Sequence, residues 1–214
     1  MNLDEIKRIA SENMEGRKSH PEREPGYIFY HGLRTANLTG VIMSRLNGDL
    51  NAFDPVLYTG ALFHDVGKGF AMHNETGADL ARHLLSDVCS PEELERISRI
   101  VRFHCVRKNG LDLEAAILAV QDADMIDHYG TQGIWLDLLE SAHNRDSQLE
   151  LIKQWDSDEH RGHIAKMRGL LNFDFSKMLF DDRISYQRRF LERLKLEAEG
   201  KIPDETKLPA SGKR

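Results

Sequence analysis

No stretch of this 214-residue chain shows the sustained apolar–polar alternation, rich in β-branched side chains, that a half-buried strand needs. Apolar residues recur instead at three- and four-residue spacing almost throughout, which predicts an all-α protein. Several helix ends are marked. Asn2 caps a first helix over residues 3–14, and a loop with charges, proline and glycine follows over residues 16–26. Asp54-Pro55 and Ser90-Pro91-Glu92-Glu93 each pair an N-cap with proline at the first helical position. Asn109-Gly110 closes the second of these helices, and Asp112 caps the next, which carries Leu113, Ala116, Ile117 and Val120 inward. The pattern stays helical through Ile134, Trp135, Leu138 and Leu139, then Leu151, Ile152 and Trp155, then Ile164, Met167, Leu170 and Leu171. A last, highly charged helix is predicted from about 182 to 199, and the proline-containing, apolar-poor tail over 201–214 is expected to be mobile.

With about 40% apolar residues the chain is long enough for a proper core, and its length suggests one domain over residues 1–200. A formal charge of −6 and a pI near 5.9 argue against bulk binding to duplex nucleic acid or an anionic membrane and favour a small ligand. Cys89 and Cys105 are too few for a disulfide framework and lack zinc-motif spacing. The charged N-terminus and the absence of an apolar run near ~18 residues fit a soluble cytoplasmic protein, with a homodimer left open.

The polar residues that interrupt the apolar faces carry the chemistry. On the helix begun by Asp54, Leu57, Ala61, His64 and Asp65 fall at i, i+4, i+7 and i+8, so two polar groups point inward. Leu94, Ile97 and Val101 lead to His104 by the same arithmetic. His31 shares a face with Thr35, Leu38 and Ile42, and Asp124 continues the stripe of Ile117 and Val120. Buried imidazole and carboxylate are costly unless paired or bound to a cation, and nitrogen and oxygen donors suit divalent first-row metals. Taken singly, each has a plainer reading: a satisfied core histidine, a buried His-Asp pair, or a solvated acidic cluster of Asp122, Asp124 and Asp127. The other histidines, His20, His83, His128, His143, His160 and His163, have no comparable inward placement and read as surface or packing residues.

A lone His, then His-Asp, then a distant Asp along an all-helical chain resembles the HD-domain metal-dependent phosphohydrolases. The resemblance covers about residues 25–140 and rests on Tyr-His-Gly-Leu-Arg at 30–34, Ala-Leu-Phe-His-Asp-Val-Gly-Lys at 61–68, His-Asn-Glu-Thr-Gly-Ala at 73–78 and Asp-Ala-Asp-Met-Ile-Asp at 122–127. It implies an HD helical bundle with additional C-terminal helices over 141–200. It also implies that His31, His64, Asp65 and Asp124 hold one divalent metal. His73 and His104 match the further histidines of members with two metals, in which Asp65 bridges; metal identity among Mn, Mg, Fe, Co, Ni and Zn stays open. Lys68 matches the lysine of the HDxGK form.

Such a metal lowers the pKa of bound water from about 16 to about 7, giving hydroxide at neutral pH for attack on phosphorus. Asp65 and Lys68 are then the expected catalytic residues, with Lys68 and Arg34 the substrate-binding cations that meet the phosphoryl charge. Departures from subfamily patterns narrow the class. His104 is followed by Cys105, Val106 and Arg107 where HD-GYP phosphodiesterases have tandem histidines, and Gly69-Phe70-Ala71-Met72 lacks the Glu-Asp pair of alarmone hydrolases. The remaining likeness is to small stand-alone HD hydrolases acting on nucleotides or similar small phosphate esters. Two alternatives on the same scaffold are a di-iron oxygenase using all six ligands on a small polar substrate, and a non-catalytic ligand-sensing module.

Overall fold

The first core element is fixed at its start by side-chain chemistry, since Asn2 accepts the Asp4 and Glu5 N–H groups and opens α1 (Leu3–Met14) as expected. The computed structural model describes residues 1–49, 53–107 and 110–201. Among them all regular structure is helical. α2 (Tyr27–Asn47) lies between two left-handed glycines, Gly26 and Gly48, and packs on α3 (Pro55–Leu62) and α6 (Ala115–Asp127). α4 (His73–Leu85) pairs with α5 (Pro91–Phe103), whose start is held by the reciprocal Ser90–Glu93 capping box. α7 (Thr131–Asn144), α8 (Gln148–Trp155), α9 (Asp158–Leu170) and α10 (Asp174–Ala198) follow, with α10 touching α6, α7, α8 and α9.

One apolar cluster joins α1 to α5, with Ile6, Met14, Ile28, Leu62, Phe63, Leu85, Ile97 and Val101 at its centre. A second cluster runs from Ile42 and Ile126 to Phe180 and Ile184, which seats α10 on the α2–α6 pair. Close helix approach in the first region is built on glycine. A Cβ on Gly32 would stand 2.3 Å from the Leu62 carbonyl oxygen, and one on Gly67 would stand 2.1 Å from the His73 carbonyl oxygen and 2.6 Å from the Gly77 nitrogen. None of the described helices is long and apolar enough to cross a membrane.

Four local expectations need correction. α3 stops at Leu62, so His64 and Asp65 lie not on a helical face but in a run of turns where Phe63, His64, Val66 and Lys68 bond back three or four residues. α5 stops at Phe103 rather than at Asn109-Gly110; Gly110 does have a positive φ of 78°, and Asn109 lies outside the described residues. The N-cap of α6 is Glu114, not Asp112, and it makes no side-chain cap, because tertiary packing of the Ile117–Val120 face sets this end. α10 begins at Asp174, eight residues early, since Ser176, Phe180, Ile184, Gln187 and Leu191 form one buried stripe with no breaker in it. The expected mobile tail lies outside the described residues beyond Lys201.

Candidate metal centre

His31 from α2 and His64 from the turn after α3 are completely buried, and their Nε2 atoms face each other at 3.2 Å. Each ring is oriented from behind. His64 Nδ1–H donates to the Ala61 carbonyl at 2.7 Å, and His31 Nδ1–H donates to Asp127 Oδ2 at 2.8 Å, so both lone-pair positions are Nε2. Asp124 Oδ1 lies 3.2 Å from His31 Nε2 and 3.8 Å from His64 Nε2, and Asp65 Oδ2 lies 3.8 Å from His64 Nε2. Two nitrogen lone pairs and two carboxylates converging on one buried point need a cation between them. Burial opposes charge on His31, yet hydrogen bonds to Asp124 and Asp127 outweigh it and lift the imidazole to about 9, whereas burial pushes His64 down to about 4. The point therefore holds either a proton on His31 or a metal that displaces it.

The other Asp65 oxygen serves a second set. Oδ1 stands 3.5 Å from His104 Nε2 and 3.9 Å from His73 Nε2. His104, the C-cap of α5, gives its Nδ1–H to the Val101 carbonyl at 2.6 Å, which again leaves Nε2 as the free donor atom. His73 Nε2 is buried without any hydrogen-bond partner. An orphaned imidazole nitrogen beside a carboxylate fits a second ion, with Asp65 shared by both sets. His73 is the first residue of α4, and the left-handed Met72, φ 48°, turns the chain there. Asp65 is held well below the usual carboxylate range, because His64, His104 and Lys68 together overcome the opposing effect of burial.

Backbone acceptors brace the turn between the two sets. Arg17 donates to the Val66 carbonyl at 2.8 Å and the Lys68 carbonyl at 2.7 Å, and its guanidinium lies over the Phe70 ring. Gly67 presses the same turn onto the start of α4. Gln121 ties α6 to the chain around His104 by donating to the Phe103 and Val106 carbonyls, both at 2.9 Å.

Of the two expected substrate cations, Lys68 Nζ lies 3.3 Å from Asp65 Oδ2 at the edge of the centre. Arg34 is engaged by Asp127, with Nη2 to Oδ2 at 2.9 Å, so it stands behind His31. Sequence reasoning missed Asp127 and His128. Far from a solvated cluster, Asp127 is 2% exposed, and Asp122 is fully buried where it accepts the Asn172 and Phe173 N–H groups ahead of α10. His128 is set edge-on against the His31 ring; its Nδ1–H donates to the Asp124 carbonyl at 2.9 Å and its Nε2 accepts from the Tyr27 hydroxyl at 3.0 Å. His31, Asp124 and His128 present ligand atoms within 4.8 Å of one another, as do His73, His104 and Cys105. The helical spacing of Asp127 and His128 from Asp124, three and four residues, was the available signal. His83, by contrast, is exposed on α4.

The HD domain family model matches residues 28–129, the segment that holds every donor described above. Residues 28–129 form an HD domain. Bacillus subtilis YpgQ, solved in complex with ADP, superposes with a TM-score of 0.61 at 19% identity, covering 93% of this chain and 99% of its own. An HD-superfamily hydrolase from Bacillus thuringiensis gives 0.60 at 17% identity, covering 93% and 99%. The Lin1889 protein from Listeria innocua gives 0.58 at 21% identity, covering 95% and 100%. At these identities the likeness extends the shared fold over the helices C-terminal to the HD domain. No curated protein matches the chain significantly in sequence.

Proposed function

We propose that this HD domain is a phosphohydrolase that cleaves a phosphate ester or anhydride of a nucleotide or similar small molecule. The observation that carries the reading is the pair of donor sets sharing Asp65: His31, His64 and Asp124 on its Oδ2 side, His73 and His104 on its Oδ1 side. Divalent metal held there supplies Lewis acidity and, by acidifying water, a hydroxide nucleophile at neutral pH. Asp65 fixes the spacing of the two sets. His64 and His104, locked by the Ala61 and Val101 carbonyls, keep their lone pairs aimed inward. Lys68, 29% exposed and paired with Asp65, meets the charge that grows on the phosphoryl oxygens. Arg34 acts from behind, neutralising Asp127 so that this carboxylate orients His31 without adding a full charge to the centre. ADP bound to the Bacillus subtilis neighbour supports a nucleotide ligand.

Metal analysis joined to a phosphate-ester screen tests the reading. The expected result is one or two divalent ions per chain and metal-dependent phosphate or pyrophosphate release from nucleotides. Lys68→Ala should keep the metal and lose about tenfold or more in kcat/KM. Two irons with oxygen consumption and no phosphate release would replace this reading by the oxygenase one.

A further inference from the structure

Beside the centre, where α6 gives way to α7, a cavity of about 400 Å³ opens between the loop before α2, the last turn of α6, and helices α7 to α10. His128 belongs to both places. It lines the cavity, and it shares with His31 and Asp124 the 4.8 Å donor cluster of the centre. The His128 ring thus separates the centre from the cavity by the width of one side chain. The size suits a ring system rather than a metal or a single phosphate.

The chemistry of the walls selects which end of a ligand enters. Asp137 and Glu159 line the cavity, and two carboxylates oppose a phosphate there. Among the described residues the lining has one guanidinium, Arg23, which lies over the Tyr27 ring at 5.6 Å and reaches the Leu136 carbonyl at 3.4 Å. His160 is half-buried against Trp155 with its ring stacked, and burial holds it below the usual imidazole range, so it offers a neutral aromatic face. Leu136 and the Tyr129 ring add apolar wall, and Gln154 adds an amide that can both donate and accept. A flat, neutral, hydrogen-bonding ring matches this lining, and a polyanion does not.

We propose that this cavity holds the base of a nucleotide whose phosphates lie at the metal centre, with Asp137 accepting a hydrogen bond from an exocyclic amine on that base. The inference rests on the phosphohydrolase reading for the placement of the phosphates. A carboxylate in this position favours a base with an exocyclic amine, such as adenine, over thymine, whose exocyclic polar groups are both carbonyl oxygens.

The test uses the full chain loaded with manganese, as wild type, Asp137→Leu and Gln154→Ala, with dATP, dTTP and base-free tripolyphosphate as substrates. Wild type should prefer dATP to dTTP. Asp137→Leu should lower kcat/KM for dATP by about tenfold or more while dTTP and tripolyphosphate stay within about twofold. Equal losses on all three substrates, or no loss on dATP, would overturn the assignment. Should Asp137→Leu not fold, the exposed Gln154→Ala must show the same selective loss on dATP. An NMR titration with adenosine, which has no phosphate, separates the two readings. Adenosine should shift resonances of Leu136 and His160 in wild type and leave them unmoved in Asp137→Leu. If no phosphate compound is hydrolysed, the phosphohydrolase reading falls and adenosine binding alone decides the cavity; absence of that binding refutes it.

Discussion

The segment from α2 to α6 and the segment from α7 to α10 are both helical, yet they hold their polar groups in opposite ways. In the first, His31, His64, Asp65, His104, Asp122 and Asp127 are buried to 5% exposure or less, and most are fixed by backbone partners or by one another. Glycines at 32 and 67 bring main chain against main chain. In the second, polar contacts are largely exposed ion pairs such as Arg168–Asp181 and Lys195–Asp156, and the apolar contacts include a small satellite core around Ile134, Leu151, Trp155 and Leu191. Exposed pairs of this kind contribute little stability, about 0–1 kcal/mol each. The contrast teaches that the metal donors sit where movement is costly, whereas the cavity sits among helices held by exposed pairs and a small apolar core, where a side chain can change without disturbing the centre.

The strongest way to break the first region is through the residue both donor sets share. Asp65→Ala should empty both sets, lowering metal affinity by more than about a hundredfold and abolishing turnover. Metal content measured by mass spectrometry on folded protein, with folding checked by circular dichroism, decides it. Unchanged stoichiometry would remove Asp65 from the site.

Next in size is a change that adds no charge. Gly67→Ala places a Cβ 2.1 Å from the His73 carbonyl oxygen, so α4 must move. Overpacking against backbone should cost about 1–3 kcal/mol and, because α4 carries His73, should deplete the second ion before the first. The equivalent change at Gly162 in α9, where an added Cβ meets nothing within 4 Å, should be near neutral or slightly stabilising, by up to about 1 kcal/mol. Equal effects in the two regions would erase the comparison.

Asp127→Asn isolates the orientation of His31. The amide no longer balances Arg34 or holds the imidazole by a charged bond, and metal affinity should fall by about 10- to 100-fold. The pH dependence gives a sharper readout. Hydrogen bonds to Asp124 and Asp127 overcome burial to place His31 at about 9, so below that pH a metal must displace a proton, and apparent affinity should rise about tenfold per pH unit from 7 to 9 and then level off. In Asp127→Asn the plateau should begin at lower pH. A slope unaltered by the substitution would show that Asp127 does not set this protonation.

What the sequence revealed follows the same division between local and distant causes. Asn2, Asp54 and Ser90 were legible as caps because a capping bond spans two or three residues. His31, His64, Asp65, His73, His104 and Asp124 were legible because motif order survives whatever the backbone does between them. The end of α3 at Leu62 was not, since Ala-Leu-Phe-His-Asp contains no breaker and the turn is held by Arg17, which is remote in sequence, and by the close packing of Gly67 on α4. Asp127 and His128 escaped for a related reason: their roles arise only when α2 lies against α6.

The smallest expected effect lies in the second region and has the opposite sign. Burial, with Glu140 assisting, raises the Asp137 carboxyl to about 6, against the pull of Trp155 and Arg23. A carboxyl whose folded pKa exceeds its unfolded value near 3.8 favours the fold while protonated, so its contribution is complete below about pH 4 and is lost as pH rises through about 6. Asp137→Asn cannot ionise. It should therefore be more stable than wild type above pH 6, by about 1–2 kcal/mol after screening by the partly open cavity, and should lose that advantage toward pH 4. Melting temperatures of chelator-treated wild type and variant at pH 4 and pH 8 test this, and removing the metal keeps the centre's own titration common to both. A gap that is the same at both pH values would mean that the Asp137 carboxylate is already compensated within the fold, and that this cavity, like the centre beside it, tolerates no free change of charge.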